Sequence, residues 1–149
     1  MKKFVLMLSF FIILLSLASC SPINETDAQE TVDTLIEYIE QGNYDSASAM
    51  VCGTDTEGMT FSEFLYGIEE ATGLDFQAGI EIGKCISFES KRSGIYGTMF
   101  IACLDYQITI DGKSAVIYID MKDNNGKLEV YFFNLDYEDE MYQYYCETE

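Results

Sequence analysis

Apolar residues recur with a helical period in the first half of the chain. Asp27 and Glu30 open a segment whose apolar positions follow the i, i+3, i+4, i+7 spacing of one helix face, namely Val32, Leu35, Ile36 and Ile39. Gly42 is a natural stop for this helix. After a short turn, residues 45–51 predict a shorter second helix.

A third helix is predicted after residue 59. Thr60 and Glu63 have the spacing of a capping box, in which the side chain of each residue accepts a hydrogen bond from the backbone N–H of the other. The helical face is then repeated by Phe61, Phe64, Leu65 and Ile68. Gly73 ends the segment, so three helices are expected before any strand.

From residue 80 onward the period changes to two. Runs rich in Ile, Val, Tyr and Phe predict four strands, at residues 80–88, 96–110, 114–121 and 128–135. Asp111-Gly112 and Asn125-Gly126 are two-residue hairpin signals between such runs. Helices followed by an antiparallel meander predict an α+β domain in which the N-terminal helices pack on the sheet.

The first hairpin turn predicts which residues share a face. It pairs Ile110 with Lys113, and the same register pairs Ile108 with Ala115, Tyr106 with Ile117 and Leu104 with Ile119. These mostly apolar positions define a buried inner face, to which the second turn adds Leu128, Val130 and Phe132. The outer face then receives Cys103, Asp105, Gln107, Thr109, Val116, Tyr118, Asp120, Tyr131, Phe133 and Leu135.

The first strand bears on the cysteines. Its apolar residues that require the inner face are Ile80, Ile82, Ile86 and Phe88. To keep these residues on the inner face, the chain needs an odd-length loop or bulge near residues 92–94. Cys85 then points outward, close to Cys103 on the next strand, which predicts a cross-strand disulfide. Elimination leaves Cys52 and Cys146 as a second pair. Free buried thiols are the competing interpretation.

The N-terminus has the pattern of a secretory signal peptide. Lys2 and Lys3 precede an almost unbroken apolar run over residues 4–17. This run is shorter than the roughly 20 residues needed to cross a bilayer, so an uncleaved membrane anchor is the less favoured alternative. A basic start, an apolar middle and a small-residue exit together predict export.

The end of this run, Leu17-Ala18-Ser19-Cys20, resembles the lipobox of bacterial lipoprotein precursors at all four positions. The resemblance implies diacylglyceryl transfer to the Cys20 thiol and cleavage between Ser19 and Cys20. Two or three palmitate-type acyl chains anchor a protein stably, at about 0.8 kcal/mol per buried methylene. The expected location is extracytoplasmic, on a bacterial membrane at the cell surface or periplasmic side.

These patterns divide the chain into three parts. Residues 1–19 are expected to be a lipoprotein signal peptide, and residues 20–28 a lipidated cysteine followed by a polar tether. Residues 29–149 are expected to form a single α+β domain, because about 120 residues suit one domain.

Charge and composition exclude several classes of partner and chemistry. The chain has 8 Lys and Arg against 26 Asp and Glu, and loss of Lys2 and Lys3 takes the formal charge from −18 to about −20. Nucleic acid and anionic lipid headgroups are therefore not expected partners. The absence of histidine removes Ser-His and Cys-His pairs and histidine-ligated zinc, and no C-x-x-C pair occurs. We expect no metal, cofactor or catalytic residue.

The segment "TVDTLIEYIEQGNYDSASAMV", a helix that ends in Gly-Asn-Tyr-Asp and runs into a second short helix, resembles the opening of nuclear-transport-factor-2-like (NTF2-like) domains of the cystatin-like superfamily. The resemblance covers residues 27–135 and implies a curved sheet with helices on its concave side. Enzymes, binding proteins and dimerisation modules all occur in that family. Catalytic members have an Asp/His or Asp/Tyr arrangement in the pocket, and histidine is absent here.

The favoured functional hypothesis is a non-catalytic, lipid-anchored binding or interaction module of the cell envelope. Its partner would be an unknown envelope protein, a small apolar ligand or a second copy in a homodimer. A ligand pocket is predicted at Phe61, Leu65, Tyr106, Ile117 and Phe132, with simple core packing as the alternative. An interaction face is predicted at Tyr118, Tyr131, Phe133 and Leu135.

Two further hypotheses remain open. A small isomerase- or dehydratase-type enzyme would use Asp105 or Asp120 as a base with a tyrosine donor, but both aspartates are expected on the solvated outer face with ordinary acidity. The C-terminal "DYEDEMYQYYCETE" is expected to be a solvated end whose tyrosines pack back on the sheet. The alternative is that this tail binds a cation, a basic partner or glycans.

Overall fold

The computed structural model describes residues 22–55, 57–93 and 99–146. The helices are α1 (Glu25–Glu40), α2 (Tyr44–Ser48) and α3 (Phe61–Thr72), followed by a short 3₁₀ turn (Phe76–Ala78). The strands are β1 (Ile80–Ser93), β2 (Met99–Ile110), β3 (Lys113–Asn124), β4 (Lys127–Tyr137) and β5 (Glu140–Tyr145). The five strands form one open antiparallel sheet in sequence order, which confirms the α+β class.

The first helix begins earlier than its apolar pattern suggested. Asn24 is the N-cap, and its Oδ1 accepts a hydrogen bond from the Asp27 backbone N–H at 2.8 Å. Ile23 and Ala28 are buried in the core. The predicted tether over residues 20–28 is therefore too long, because Asn24, a favoured capping residue, starts the helix inside it.

The helical faces lie where the periodicity placed them. All four predicted α1 positions and all four α3 positions are buried: Val32, Leu35, Ile36, Ile39, Phe61, Phe64, Leu65 and Ile68. The capping box is present, with the Thr60 N–H donating to Glu63 Oε2 at 2.8 Å and the Glu63 N–H donating to Thr60 Oγ1 at 3.3 Å. Gly73 caps α3 in the left-handed conformation at φ +66°.

The second helix ends at Ser48, three residues earlier than predicted. The backbone beyond it bonds to the sheet instead, because the Val130 N–H donates to the Met50 carbonyl at 3.0 Å and the Cys52 N–H donates to the Val130 carbonyl at 2.9 Å. These two bonds attach the segment after α2 to β4.

The β2–β3 hairpin confirms the predicted register at every pair. Asp111 and Gly112 both have left-handed φ values, 50° and 71°, as a two-residue turn of this kind requires. The observed pairs are Ile110 with Lys113, Ile108 with Ala115, Tyr106 with Ile117, and Leu104 with Ile119. The apolar residues of β2 and β3 that were predicted to lie on the inner face are buried.

A bulge in β4 overturns the prediction for three residues. Met121 pairs with Val130 but Asp120 pairs with Phe132, so Tyr131 is an extra residue on β4. Phe132 therefore lies on the outer face, whereas Phe133 and Leu135 turn inward and are 3% and 1% exposed. One extra residue in a strand moves the side chain of every later residue of that strand to the opposite face of the sheet.

Two irregularities in β1 overturn the prediction for Cys85 and Ile86. The register shifts between Ile82 and Cys85 and again between Cys85 and Ser87. Cys85 consequently lies opposite Tyr106 and packs against the core, whereas Ile86 is 60% exposed. After the second shift Phe88 pairs with the inner-face residue Leu104. The two ends of β1 therefore have the predicted orientation, and only the middle of the strand differs from the prediction.

The bulge of β1 depends on a glycine. A Cβ atom placed on Gly83 would lie 2.5 Å from the backbone oxygen of Gln107, closer than any side chain tolerates. This close approach of the two backbones at Gly83 fits the role of glycine in strand irregularities.

One of the two predicted cysteine pairs is present. Cys52 and Cys146 form a disulfide with a Cα–Cα distance of 6.2 Å, which ties the segment after α2 to the end of β5. The predicted Cys85–Cys103 disulfide is wrong, because both thiols are free and the β1 irregularities put them on opposite faces of the sheet.

The C-terminal segment is a strand and not a solvated end. Glu138 and Asp139, with φ values of 53° and 64°, make a tight turn from β4 into β5. Tyr144 is fully buried, and its hydroxyl donates to the carbonyls of Gly53 at 2.9 Å and Met59 at 3.1 Å. The expected packing of the tail tyrosines is seen for Tyr137 and Tyr144, which are buried as members of β4 and β5, whereas Tyr145 is 39% exposed.

Candidate functional site: the outer face of the sheet

The inner face of the sheet is filled by the chain itself. Four predicted pocket residues lie there with at most 3% of their surface exposed: Phe61, Leu65, Tyr106 and Ile117. The Phe61 ring contacts those of Phe133 and Tyr144, with centroid distances of 5.3 and 5.2 Å. The four residues pack as core, and Phe132, the fifth, lies on the other face.

The outer face carries a group of aromatic side chains. Tyr118 and Tyr131, from the predicted interaction face, are both half-buried there. The β4 bulge adds Phe132, and the ring centroid of Tyr145 on β5 lies 6.4 Å from those of both Tyr131 and Phe132. The aromatic group therefore spans the three strands β3, β4 and β5.

Two exposed apolar residues lie on the same face. Four large apolar residues of the described chain stand out as exposed: Tyr66, Ile86, Met141 and Tyr145. Tyr66 is on α3, and Ile86 is an unpaired residue between the paired Cys85 and Ser87 of β1. Met141 and Tyr145 lie at outer-face positions of β5. Met141 and Tyr145, beside the aromatic group, mark this part of the outer face as a surface suited to contact with another molecule.

Asp120 lies within the aromatic group and is not an ordinary solvated acid. Burial raises the pKa of its carboxyl, although hydrogen bonds from Cys103 and Tyr131 and the charge of Lys91 lower it. The Tyr131 hydroxyl donates to Asp120 Oδ2 at 3.4 Å. The expectation of ordinary acidity is therefore wrong for Asp120, because the β4 bulge places both Tyr131 and Phe132 beside it.

Cys103 faces Asp120 directly across β2 and β3. Burial, reinforced by the neighbouring Asp120 carboxylate, raises the pKa of the Cys103 thiol to about 12. The thiol is therefore protonated at neutral pH and is a poor nucleophile. Burial likewise raises the pKa of the Tyr131 hydroxyl, which stays a hydrogen-bond donor.

Asp105 lies on the same face, one strand away from Tyr118. It pairs with Tyr118 across β2 and β3, and its Oδ2 accepts a hydrogen bond from the Ser87 hydroxyl at 2.5 Å. Neither Asp105 nor Asp120 has a Lys or Arg nitrogen within 4.0 Å in the described chain.

Asn134 is the buried polar residue of the outer face. It lies between Phe133 and Leu135, which point inward, and it pairs with Tyr118 on β3 and Gln143 on β5. Asn134 is only 2% exposed, and its Oδ1 has no hydrogen-bond partner among the described residues. An acceptor left in this state costs about 1–3 kcal/mol, so it calls for an explanation.

Sequence reasoning missed Asn134, Phe132 and Tyr145 as outer-face residues. One signal was present, because Asn134 interrupts the apolar run "VYFFNL" with an amide. The bulge that sets its face leaves no local signature, since Tyr131 is as well suited to a regular strand as to an irregular one.

A second polar group lies on the inner face. The Tyr106 hydroxyl is buried beside the Cys85 thiol, and no residue that the structure describes lies in hydrogen-bond geometry with it. Burial raises the pKa of Tyr106, with a further contribution from Cys85. The Cys85 thiol donates to the Ser87 carbonyl at 3.1 Å, so its hydrogen is already engaged.

An open cleft of about 630 Å³ lies between the start of α1 and the β3–β4 turn. Its charged lining consists of Asp27, Glu30, Asp123 and Lys127, and its apolar lining includes Ile23, Met50 and Leu128. None of the predicted pocket residues lines it. In the parts of the chain that the structure describes, no three His, Cys, Asp or Glu side chains are arranged to hold a metal ion.

The predicted lipidation and cleavage positions, Cys20 and Ser19, lie outside the described residues. Over residues 22–146, apart from the gaps at 56 and 94–98, no helix is long and apolar enough to cross a membrane. No family model matches the chain, and no curated protein matches it.

Proposed function

We propose that this protein is a lipid-anchored, extracytoplasmic and non-catalytic interaction module that binds a protein of the cell envelope through the outer face of its sheet. The observation that carries the proposal is the contrast between a filled inner face and an outer face with exposed Met141 and Tyr145. The lipobox resemblance at Cys20 supports the anchor. An NTF2-like fold is part of the proposal, supported by the helices-first order and the five-stranded meander.

The interaction face is tested by site-specific photo-crosslinking in the native cell. Tyr145→benzoylphenylalanine places the reactive group on the outer face, and Tyr66→benzoylphenylalanine places it on α3, also exposed. We expect a discrete crosslinked protein from position 145 and none from position 66. The same product from both positions, or none from position 145, would contradict the proposal.

The anchor is tested independently of the partner. Metabolic labelling with an alkyne-bearing palmitate should modify the wild-type chain, and Cys20→Ser should abolish the label and release the protein from the membrane fraction. A Cys20→Ser chain that remains bound would show that another segment holds it.

The enzyme hypothesis has one observation in its favour, the raised pKa of Asp120 beside the Tyr131 hydroxyl. This pair lies on a sheet face and does not line the 630 Å³ cleft. A catalytic base is most effective with a pKa near the working pH. Carbon-detected NMR titration of the Asp120 carboxyl decides, because a pKa about 6–7 would favour an enzyme and a lower one would not.

A further inference from the structure

Three hydrogen-bond acceptors surround Tyr118 on the outer face. Asp105 is its partner on β2 and Asn134 is its partner on β4. Asp120 is two residues along β3 and therefore on the same face. Cross-strand partners have Cα atoms about 4.5–5.5 Å apart, and two residues along a strand span about 6.5 Å. Asp105, Asp120 and Asn134 therefore lie around one side chain of the outer face, that of Tyr118.

The chain supplies few donors to these acceptors. Asp105 accepts from the Ser87 hydroxyl, and Asp120 accepts from the Tyr131 hydroxyl and the Cys103 thiol. The Asn134 Oδ1 has no partner among the described residues. Each carboxylate has further lone pairs available. The group is therefore rich in acceptors and poor in donors.

The lysines of this face are paired elsewhere. Lys91 Nζ lies 3.7 Å from Glu89 and Lys122 Nζ lies 3.4 Å from Glu129. The charge of Lys91 is felt by Asp120, but its ammonium is not within 4.0 Å of that carboxylate. No cation of the described chain therefore contacts Asp105 or Asp120.

We propose that the outer face recognises a lysine or arginine side chain of the partner protein, which packs on the Tyr118 ring and donates to Asp105, Asp120 and Asn134. Charge complementarity argues for this occupant, since carboxylates accept from basic groups and an aromatic face attracts a cation. A second copy of this chain is the poorer fit, because each copy would bring its own carboxylates to the same place. The inference rests on the proposed function, since it names the chemistry of that partner.

The test uses the purified full chain in neutral detergent and acetylated tetralysine amide as the probe. Amide NMR shifts upon titration should centre on Tyr118 and Asn134, and acetylated tetraglutamine amide should cause none. The double variant Asp105→Asn/Asp120→Asn should weaken binding at least tenfold. The matched control Glu37→Gln/Glu70→Gln removes the same charge from exposed helix positions and should change affinity less than twofold.

Asn134→Leu separates recognition from a merely structural role. It removes an acceptor that lacks a partner in the isolated chain, so the thermal midpoint should hold or rise while tetralysine binding weakens several-fold. Unchanged binding in this variant would remove Asn134 from the recognition group, and unchanged binding in the double aspartate variant would overturn the inference.

The remaining outcomes distinguish this inference from the proposed function. Equal losses in the helical control and the outer-face variant would reveal non-specific attraction to an acidic chain and overturn the inference. A crosslink at position 145 that persists in Asp105→Asn/Asp120→Asn would overturn it while leaving the interaction module intact. Tetralysine binding at Tyr118 without any crosslink in cells would support the basic-group site and contradict the envelope partner.

Discussion

The two faces of one sheet are built from the same strands but are completed differently. On the inner face the Tyr144 hydroxyl donates to two loop carbonyls, the aromatic rings of three elements interlock, and the Cys52–Cys146 disulfide joins the segment after α2 to β5. On the outer face Asp120 is partly desolvated, and the side-chain oxygen of the buried Asn134 has no hydrogen-bond partner in the described parts of the chain. The chain's own side chains fill the first face, whereas the second combines exposed apolar residues with polar groups that another molecule could satisfy.

The largest expected effect tests whether the β4 bulge assigns the two faces correctly. Phe133→Ala should destabilise the fold by about 3–5 kcal/mol, because it opens a cavity in the aromatic core around Phe61 and Tyr144. Phe132→Ala, one residue away, should cost about 1 kcal/mol or less, because its ring is on the half-exposed face. Urea unfolding measures both.

A reversed order of these two losses would mean that β4 has no bulge and that Phe132 belongs to the core. If Phe133→Ala fails to fold, Phe133→Leu provides a milder change at the same position. It should still cost more than the matched substitution Phe132→Leu.

Removal of the disulfide is expected to have the next largest effect. Cys52→Ala/Cys146→Ala releases a cross-link between residues separated by 94 positions and should lower stability by about 2–5 kcal/mol. Unfolding of the wild type with reductant should reproduce this loss. Cys85→Ala/Cys103→Ala removes the two free thiols and keeps the Cys52–Cys146 bridge, so reductant should destabilise this variant as much as the wild type. Loss of the reductant effect in this variant would contradict the Cys52–Cys146 bridge.

Regular elements could be predicted from the sequence where the local signals agreed. The β2–β3 register followed from Asp111-Gly112 alone, because a two-residue turn leaves a single pairing. The cap of α3 followed from Thr60 and Glu63 in the same way. In both cases the information lies within a few residues of the feature it determines.

The irregular strands could not be predicted because their cause lies in another strand. Cys85 turns inward because β1 approaches β2 closely at Gly83, a contact with the Gln107 backbone that only the folded chain reveals. The β4 bulge likewise depends on its pairing with β3. The outer-face site was predicted only in part for this reason. Tyr118 on β3 and Tyr131 at the bulge lie on the predicted face, whereas Phe133 and Leu135 follow the bulge and turn inward.

A smaller effect is expected from the buried hydroxyl of the inner face. Tyr144→Phe removes the donor to the Gly53 and Met59 carbonyls and should cost about 1–2 kcal/mol. Tyr142→Phe is the matched control, because its hydroxyl bonds only to the nearby, exposed Glu140, and it should change stability by less than about 0.5 kcal/mol. Equal losses in chemical denaturation would mean that the inner face does not depend on these two bonds.

The smallest effect, and the one that best sharpens the contrast, concerns Asp120. Burial raises the pKa of its carboxyl in the folded chain, so the stability this group contributes is present below the unfolded pKa of about 3.9 and is lost as pH rises through the folded pKa. Asp120→Asn cannot ionise and should therefore raise the thermal midpoint by a few degrees at pH 7.5, with the gain shrinking as pH falls toward 4. Asp105, Cys103, Lys91 and Tyr131 are the charged or titratable groups that act on this carboxyl.

Tyr131→Phe extends the same measurement. The Tyr131 hydroxyl donates to Asp120 and lowers its pKa, so its removal should raise that pKa further and enlarge the pH-dependent gain of Asp120→Asn. A gain that is the same at pH 4 and pH 7.5 would show that the Asp120 carboxylate is well solvated. The outer face would then lack a desolvated carboxylate, and one physical reason to expect a basic partner there would be gone.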